Sequence, residues 1–144
     1  MTSVSSAATE GADRSPGPLS AQSLEASLTV NDVRSSVDWY RDVLGFTVDR
    51  EFERAGQVFA VSLSAGSVRI LLTRDDGTKG VDRPKGVGFS LQITTSQDVD
   101  RIAEGAKGAG ATLDSEPADV WGARVFRIRD PDGFRLVISS TRPA

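Results

Sequence analysis

The sequence predicts an α+β fold built from two βαβββ modules in a pseudo-twofold repeat. Short segments in which apolar and polar residues alternate are typical of half-buried strands. In each half a segment of helical spacing follows the first strand and ends at a glycine. The same order of elements occurs twice, in modules at about residues 23–73 and 87–140, on either side of a polar, Gly-rich linker at residues 74–86.

The first module begins with a strand near residues 25–30, which ends at Asn31 and Asp32. Asp32 is predicted to cap a helix that ends at Gly45. The apolar residues that recur at helical spacing are Val33, Val37, Tyr40 and Leu44. Three further strands are predicted at residues 47–53, 58–63 and 68–73.

The second module repeats this order with a strand near residues 89–93 and a helix that Ser96 is predicted to cap. Further strands are predicted at residues 111–114, 124–129 and 134–139. The segment SEPADVWGAR (115–124), which contains Trp121, is predicted to be irregular. The tetrapeptide Asp130-Pro131-Asp132-Gly133 is predicted to form a tight turn in which every residue has a conformational role, so its carboxylates are assigned no chemistry.

Composition excludes several classes of function. The 144 residues contain no histidine and no cysteine, which rules out every histidine-dependent triad and any disulfide framework. With 17 Lys and Arg against 20 Asp and Glu, no basic footprint for nucleic acid or membrane lipid is expected. We expect a cytoplasmic protein, because no membrane span or signal sequence is evident.

Residues 1–22 are predicted to form a flexible tail, because they are rich in Ser, Ala, Gly and Pro and lack aromatic residues. The alternative is an arm that becomes ordered against a partner subunit. Residues 23–144 are predicted to form a single domain.

Two segments of this domain carry a family resemblance: LTVNDVRSSVDWYRDVLGF (28–46) and RVFRIRDPDGFRLVIS (124–139). In combination they resemble the vicinal oxygen chelate superfamily, which includes glyoxalases, bleomycin-resistance proteins and extradiol dioxygenases. The resemblance implies that the sheets of the two modules curl, as one mixed sheet, around a shared cavity. It also implies a homodimer that completes the cavity.

Metal-dependent members of that superfamily hold a divalent ion through cavity-facing strand residues. The resemblance places the corresponding positions at Glu25, Leu71 (Ile70 if the register slips by one), Gly88 and Val137. Only Glu25 carries a donor atom, whereas protein sites for such ions normally use several. We therefore expect no metal and no cofactor.

Strand parity indicates which side chains point away from the helices and are candidates for ligand binding. These are Glu25, Arg69, Gln92 and Arg135, together with Arg124 or Arg127. The arginines suit a ligand carboxylate or phosphate, or alternatively form solvent-exposed ion pairs. Glu25 is either a general base or partner of a ligand cation, or it pairs with a nearby arginine.

Aromatic residues provide the other candidates. Trp121 is interpreted either as a lid over a flat ligand or as a dimer or loop contact. Phe59 and Phe126 occupy matching positions in the two halves, and they either line or floor the cavity or, as we prefer, belong to the core.

Two classes of function follow from these residues. The first is a metal-independent module that binds a small aromatic or anionic molecule, in a resistance or sequestration role. The second is a lyase, isomerase or dioxygenase that uses Glu25. It would take further ligands from Glu51, Glu53 or Glu116, or use arginine as its electrophile.

Overall fold

The computed structural model of the chain describes residues 17–80 and 83–141. The first module comprises β1 (Ala26–Val30), α1 (Val33–Leu44), β2 (Thr47–Arg54), β3 (Gln57–Ala65) and β4 (Val68–Arg74). The second comprises β5 (Leu91–Thr94), α2 (Val99–Gly108), β6 (Leu113–Val120), β7 (Ala123–Arg129) and β8 (Arg135–Thr141). The predicted α+β fold of two βαβββ modules is confirmed. The tail predicted at residues 1–22 lies mostly outside the described residues.

Each module forms its own four-stranded sheet. Sheet A has the order β1-β4-β3-β2 and sheet B the order β5-β8-β7-β6, with the first pair parallel and the others antiparallel in both. Each helix packs on one face of its own sheet, and α1 also contacts α2. The opposite face of each sheet, called the open face below, carries no helix. In the described parts of the chain no helix is long and apolar enough to span a membrane.

Helix α1 begins and ends where the sequence predicts. The side chain of Asp32 accepts a hydrogen bond from the backbone of Ser35, and Gly45 ends the helix at φ +77°. That left-handed conformation is accessible to glycine at little cost. The buried face of α1 then packs on the apolar side of sheet A in a core shared with α2 and sheet B, whose largest fully buried side chains include Tyr40, Phe126, Leu28, Leu63 and Ile128.

The second module differs from the prediction in two places. Helix α2 is capped by Asp98, not Ser96, because the Asp98 carboxylate accepts hydrogen bonds from the backbone amides of Asp100 and Arg101. Strand β6 continues to Val120, so the segment predicted to be irregular is an edge strand followed by a tight hairpin. Pro117 is compatible with this strand because an edge position leaves one side of the backbone unpaired.

A buried charge cluster joins the linker to both modules; we call it the Lys85 network. The Lys85 ammonium lies 2.9 Å from Asp75, 2.7 Å from the side-chain oxygen of Asn31 and 3.8 Å from Asp132. The side chains of Lys85, Asp75 and Asp132 are only 3–4% exposed. Asp132 also accepts from the Asn31 backbone amide at 2.9 Å. The network therefore connects the end of β1, the linker and the β7–β8 turn.

The predicted turn at residues 130–133 forms, and both its carboxylates also hold the modules together. Asp130 accepts from the backbone amides of Asp132 and Phe134, and from the hydroxyl of Tyr40 at 2.8 Å. Burial raises the pKa of the Asp130 carboxyl and, with the nearby carboxylate, that of the Tyr40 hydroxyl. A neutral phenol that donates to a buried carboxylate thus links α1 to the second module.

The Lys85 network predicts a specific dependence of stability on pH. The hydrogen bond from Lys85 and the Gly77 amide lower the pKa of Asp75 to about 2 from 3.8. A carboxyl whose pKa is lower in the folded state adds stability above its ordinary pKa, and that stability is lost as the pH falls from about 4 to about 2. Urea denaturation followed by circular dichroism should therefore show a steeper loss between these pH values for wild type than for Asp75→Asn. Asp38→Asn, which removes an exposed carboxylate of α1, should keep the wild-type slope. Equal slopes for wild type and Asp75→Asn would contradict the assignment.

Candidate functional site

Strand register defines the open face of sheet A. Paired residues on neighbouring strands point to the same side of a sheet. Ser27 of β1 pairs with Leu71 of β4, Leu71 with Ser62 of β3, and Ser62 with Arg50 of β2. Since Leu28, Ile70 and Leu72 face the buried core, this row lies on the open face.

The same reasoning defines the open face of sheet B. Gln92 of β5 pairs with Val137 of β8, and Val137 pairs with Arg127 of β7. Arg129 and Arg135, paired with each other, lie on the same side. The buried residues Phe126, Ile128 and Leu136 alternate with these and point to the helix side.

Several predicted site residues therefore lie on the open faces. Arg69 is exposed on β4, and Gln92 and Arg135 are exposed on sheet B. Glu25 is exposed and immediately precedes β1, whose first residue, Ala26, pairs with Ile70, the residue that follows Arg69. The structure brings Glu25 and Arg69 to one sheet and Gln92 and Arg135 to the other.

The structure separates Arg124 from Arg127, the two alternatives for the remaining arginine position. Arg124 lies on the helix side, where its guanidinium contacts Asp100 of α2 at 2.9 Å and Asp119 of β6 at 3.3 Å. Arg127 alternates with it along β7 and faces the open side. The ligand-binding interpretation of Arg124 therefore does not fit its place in the fold, because Arg124 ties α2 to the edge of sheet B.

Trp121 lies at the tip of the β6–β7 hairpin rather than in an irregular loop. Val120 pairs with Ala123, so Trp121 and Gly122 form a two-residue turn with φ +46° and +81°. Positive φ at both positions defines a type I′ turn, which normally selects Asn or Gly because a Cβ is unfavourable there. The Trp121 side chain is 100% exposed. An exposed indole thus occupies a position that backbone conformation disfavours.

The positions implied for a metal do not supply a suitable donor set. Register places Leu71, not Ile70, on the open face, and Val137 lies on the open face of sheet B. Neither has a donor atom, and Gly88 has no side chain. Across residues 17–80 and 83–141 no group of three or more Asp or Glu side chains is placed to hold an ion. Glu25 alone does not fit the divalent metal of the superfamily.

The open faces are positively charged although the chain carries a net charge of −3. Within the described residues no carboxylate lies within ion-pairing distance of the open-face arginines Arg50, Arg69, Arg127 and Arg135, whereas Arg129 pairs with Asp114 at 2.8 Å. Unpaired guanidinium groups are suited to ligand carboxylates and phosphates.

The described residues also form grooves on the helix side, and these contain none of the predicted ligand residues. One of about 750 Å³ lies between the end of α1 and β5, next to Phe46, Val68 and Ile93. Another of about 620 Å³ lies between the start of α1 and β2, next to Glu51 and Glu53. The predicted ligand residues therefore occupy open sheet faces and a hairpin tip, not an enclosed cavity within one chain.

Sequence reasoning missed a cluster on β2 and β3, which we call the arginine–phenylalanine ladder: Arg50, Phe52, Arg54 and Phe59. Arg50 lies 4.9 Å from the centre of the Phe52 ring, and Arg54 lies 4.3 Å from that of Phe59. Phe126 is buried as predicted, but Phe59 is half-buried and outside the core, next to a bulge in the β2–β3 pairing. The period-2 pattern Arg-x-Phe-x-Arg at residues 50–54 was the available signal.

Comparison with known proteins agrees with the fold and the two motifs. The family model described as the Glyoxalase/Bleomycin resistance protein/Dioxygenase superfamily matches residues 22–138. The chain belongs to this superfamily.

Individual relatives cover most of the chain. It is 30% identical over 118 residues to "Uncharacterized protein YraH" of Bacillus subtilis (strain 168), covering 76% of this chain and 90% of that protein. It is 26% identical over 129 residues to a "Probable lactoylglutathione lyase" of Vibrio cholerae, covering 84% and 91%. The crystal structure of TioX from Micromonospora sp. ML1 superposes with a TM-score of 0.67 at 23% identity, covering 84% and 99%. At this identity the likeness to TioX shows the fold alone.

The conformation of Trp121 leads to a prediction about stability. Replacement of Trp121 by Asn should raise the free energy of unfolding by about 0.5–1 kcal/mol, because Asn adopts positive φ more easily than Trp. Ala55, at φ +53° in the β2–β3 hairpin, is the matched position in the first module, and Ala55→Asn should change stability in the same direction. Chemical denaturation measures both. A loss of stability confined to Trp121→Asn would contradict the prediction and show that the indole is packed in solution.

Proposed function

We propose that this protein binds a small aromatic or anionic organic molecule on its open sheet faces without a metal, in a sequestration or resistance role. The observation that carries the proposal is the set of exposed arginines that lack a carboxylate partner within the described residues. An isolated exposed arginine needs no explanation, but these are concentrated on faces that carry no helix.

Each group has a distinct part in this binding. The guanidinium groups of Arg69, Arg127 and Arg135 would pair with a carboxylate or phosphate of the ligand, and Gln92 supplies an amide next to Val137. Trp121 supplies a large apolar surface that is fully exposed in the single chain. A binding unit that offers both an aromatic side chain and positive charge suits a ligand that has both a ring and a negative group.

The chemistry of the donor set supports binding that does not depend on a metal. Two of the four positions that the resemblance assigns to metal ligands carry Leu71 and Val137, and both lie on the open faces. Apolar side chains at these places contribute surface for an organic ligand and no coordination.

The open faces support a homodimer as the binding unit. In the single chain each open face lacks an opposing wall, and the residues of sheet A and sheet B that we assign to the ligand belong to separate sheets. A second copy related by a twofold axis would bring two such faces together. The two chains would then enclose the ligand between them, which a single open face does not do.

An enzyme of the lyase, isomerase or dioxygenase type is the second candidate, and the similarity to the Vibrio cholerae "Probable lactoylglutathione lyase" favours it. Glu25 would then act as the general base beside Arg69, with the guanidinium stabilising negative charge on the substrate. Glu51 and Glu53 line the groove on the helix side, and Glu116 pairs with Lys107 at 2.9 Å. These three glutamates therefore do not join Glu25 in one donor set.

Ligand screening tests the proposed function. Protein purified without chelator should contain well under one equivalent of transition metal. A thermal-shift screen against aromatic peptide-like antibiotics and small carboxylates should give a ligand that stabilises the protein by about 2.7 kcal/mol at one hundred times its dissociation constant. This stabilisation should persist in EDTA. The apparent affinity for the ligand should fall at least tenfold in Trp121→Asn and be largely retained in Trp121→Phe.

Two outcomes of that experiment would overturn the proposal. One equivalent of tightly bound transition metal, lost together with ligand binding on chelation, would show that binding depends on the metal. Turnover of a screened ligand by wild type but not by Glu25→Gln, with equal ligand affinity in both, would favour the enzyme.

The dimer is tested separately by light scattering after size-exclusion chromatography. At about 10 μM the measured mass of the full chain should be twice the mass of one chain, because a stable dimer buries a substantial part of each partner's surface. A single-chain mass at 100 μM would contradict the homodimer.

A further inference from the structure

The arginine–phenylalanine ladder is the part of the open face of sheet A that the predicted site does not include. Phe52 pairs with Ala60, and Ala60 with Thr73, so Phe52 lies on the same side as Arg50. The rings of Phe52 and Phe59 lie 6.5 Å apart, and one guanidinium covers each ring. Two arginine–phenylalanine pairs therefore lie next to each other on β2 and β3, at the edge of sheet A.

This arrangement places each guanidinium group over a phenyl ring. An arginine that stacks on a ring keeps its plane roughly defined, and its outer face stays available for a second planar group. Both arginines are exposed and both rings are half-buried. In the described part of the chain no carboxylate lies within ion-pairing distance of Arg50 or Arg54. Their charge is thus not neutralised in the single chain.

The floor next to the ladder is built from small side chains. On the open side of β3, Ala60 is buried and Ser62 and Ser64 are half-buried. Their pairing partners on β4 are Thr73, Leu71 and Arg69. Ser64 donates a hydrogen bond to Asp49 at 2.9 Å, so one carboxylate lies near the Arg69 end of this strip. A flat ligand can lie over Ser62 with its plane against a guanidinium of the ladder and its negative group towards the arginines of this face.

The hairpins of the two modules differ at the corresponding place. Both end in a two-residue turn of positive φ, Ala55-Gly56 in the first module and Trp121-Gly122 in the second. Module one carries the ladder beside a small turn residue, whereas module two carries an exposed indole at the turn itself. The modules thus offer two different kinds of stacking surface.

We propose that the arginine–phenylalanine ladder is a stacking subsite that selects planar, negatively charged aromatic molecules, such as aromatic carboxylates, over neutral aromatics and over non-planar anions. This inference rests on the proposed function and narrows its ligand class from aromatic or anionic to both at once. Stacking on a guanidinium requires a flat group, and the uncompensated positive charge requires a negative one.

The test compares three probes by isothermal titration calorimetry on the full chain: 2-naphthoate, 2-naphthalenemethanol and cyclohexanecarboxylate. Wild type should bind 2-naphthoate at least about tenfold more tightly than either of the others. The double variant Arg50→Lys/Arg54→Lys keeps the charge but removes the planar stack, so its affinity for 2-naphthoate should fall about tenfold while that for cyclohexanecarboxylate stays within about twofold.

Matched variants control for folding and for general charge. Arg34→Lys changes an exposed arginine of α1, on the helix side, and should leave all three affinities unchanged. Phe59→Leu removes the ring beneath Arg54 and should lower the affinity for 2-naphthoate in the same way as the double variant. Thermal melting identifies any variant that is misfolded, and in that case the remaining ladder variant decides.

The outcomes separate failure of the subsite from failure of the proposed function. Binding of 2-naphthoate that is lost in Trp121→Asn but unchanged in the double lysine variant would overturn the ladder and leave the proposed function standing. If the double lysine variant loses affinity equally for 2-naphthoate and cyclohexanecarboxylate, the ladder subsite alone is overturned. The same holds if no probe binds below about 1 mM while the screen yields a neutral ligand. Failure of both the probes and the screen would overturn both.

Discussion

The arrangement of the two modules depends on one buried ion pair, that of Lys85 with Asp75. Burying these charges is costly, and the cost is offset only if every donor and acceptor finds a partner. Lys85 reaches Asp75 in the linker, Asn31 at the end of β1 and Asp132 in the β7–β8 turn, so satisfying one ammonium fixes the positions of three segments. The hydrogen bond from Tyr40 to Asp130 also joins α1 to the β7–β8 turn. Burial keeps the phenol protonated, so that it can donate. Because the modules are joined through their helices and turns, the opposite faces of both sheets remain open.

The open faces of the two sheets carry the exposed arginines. In most strands the apolar residues lie on the helix side. The alternate positions, on the open side, carry arginine, serine, threonine and a few large apolar groups. Most exposed acidic side chains lie elsewhere: Asp100 and Asp119 pair with Arg124, Glu104 and Glu116 with Lys107, and Asp38 with Arg41. An acidic chain thus presents positive sheet faces. The fold of the superfamily supplies the faces, and we propose that the residues of this chain suit them to organic anions rather than to a metal ion.

How much was predictable depended on whether the decisive contact was local. Helix α1, its Asp32 cap and its Gly45 end followed from short-range spacing, and so did the order of helices and strands along the chain. Arg69, Gln92 and Arg135 were placed on the correct side because their strands are regular. Arg124 was open between two interpretations because its partner Asp100 lies on another element. The interpretation of Phe59 as a core residue was wrong because the sequence does not reveal the bulge in the β2–β3 pairing. A bulge changes the face of the sheet on which neighbouring side chains lie.

The sequence by itself determined the class of fold, the repeat of the module and the lack of a side-chain donor at three of the four implied metal positions, because these depend on residue identity and on periods of two or 3.6 residues. Only the tertiary structure decided that the two aspartates of the β7–β8 turn hold the modules together. It also decided that Trp121 stands at a hairpin tip in a disfavoured conformation, and that arginines of β2 lie over two phenylalanine rings. The reason is physical: these features arise between segments distant in sequence, or from pairing between strands, and no local pattern specifies which distant group a side chain meets.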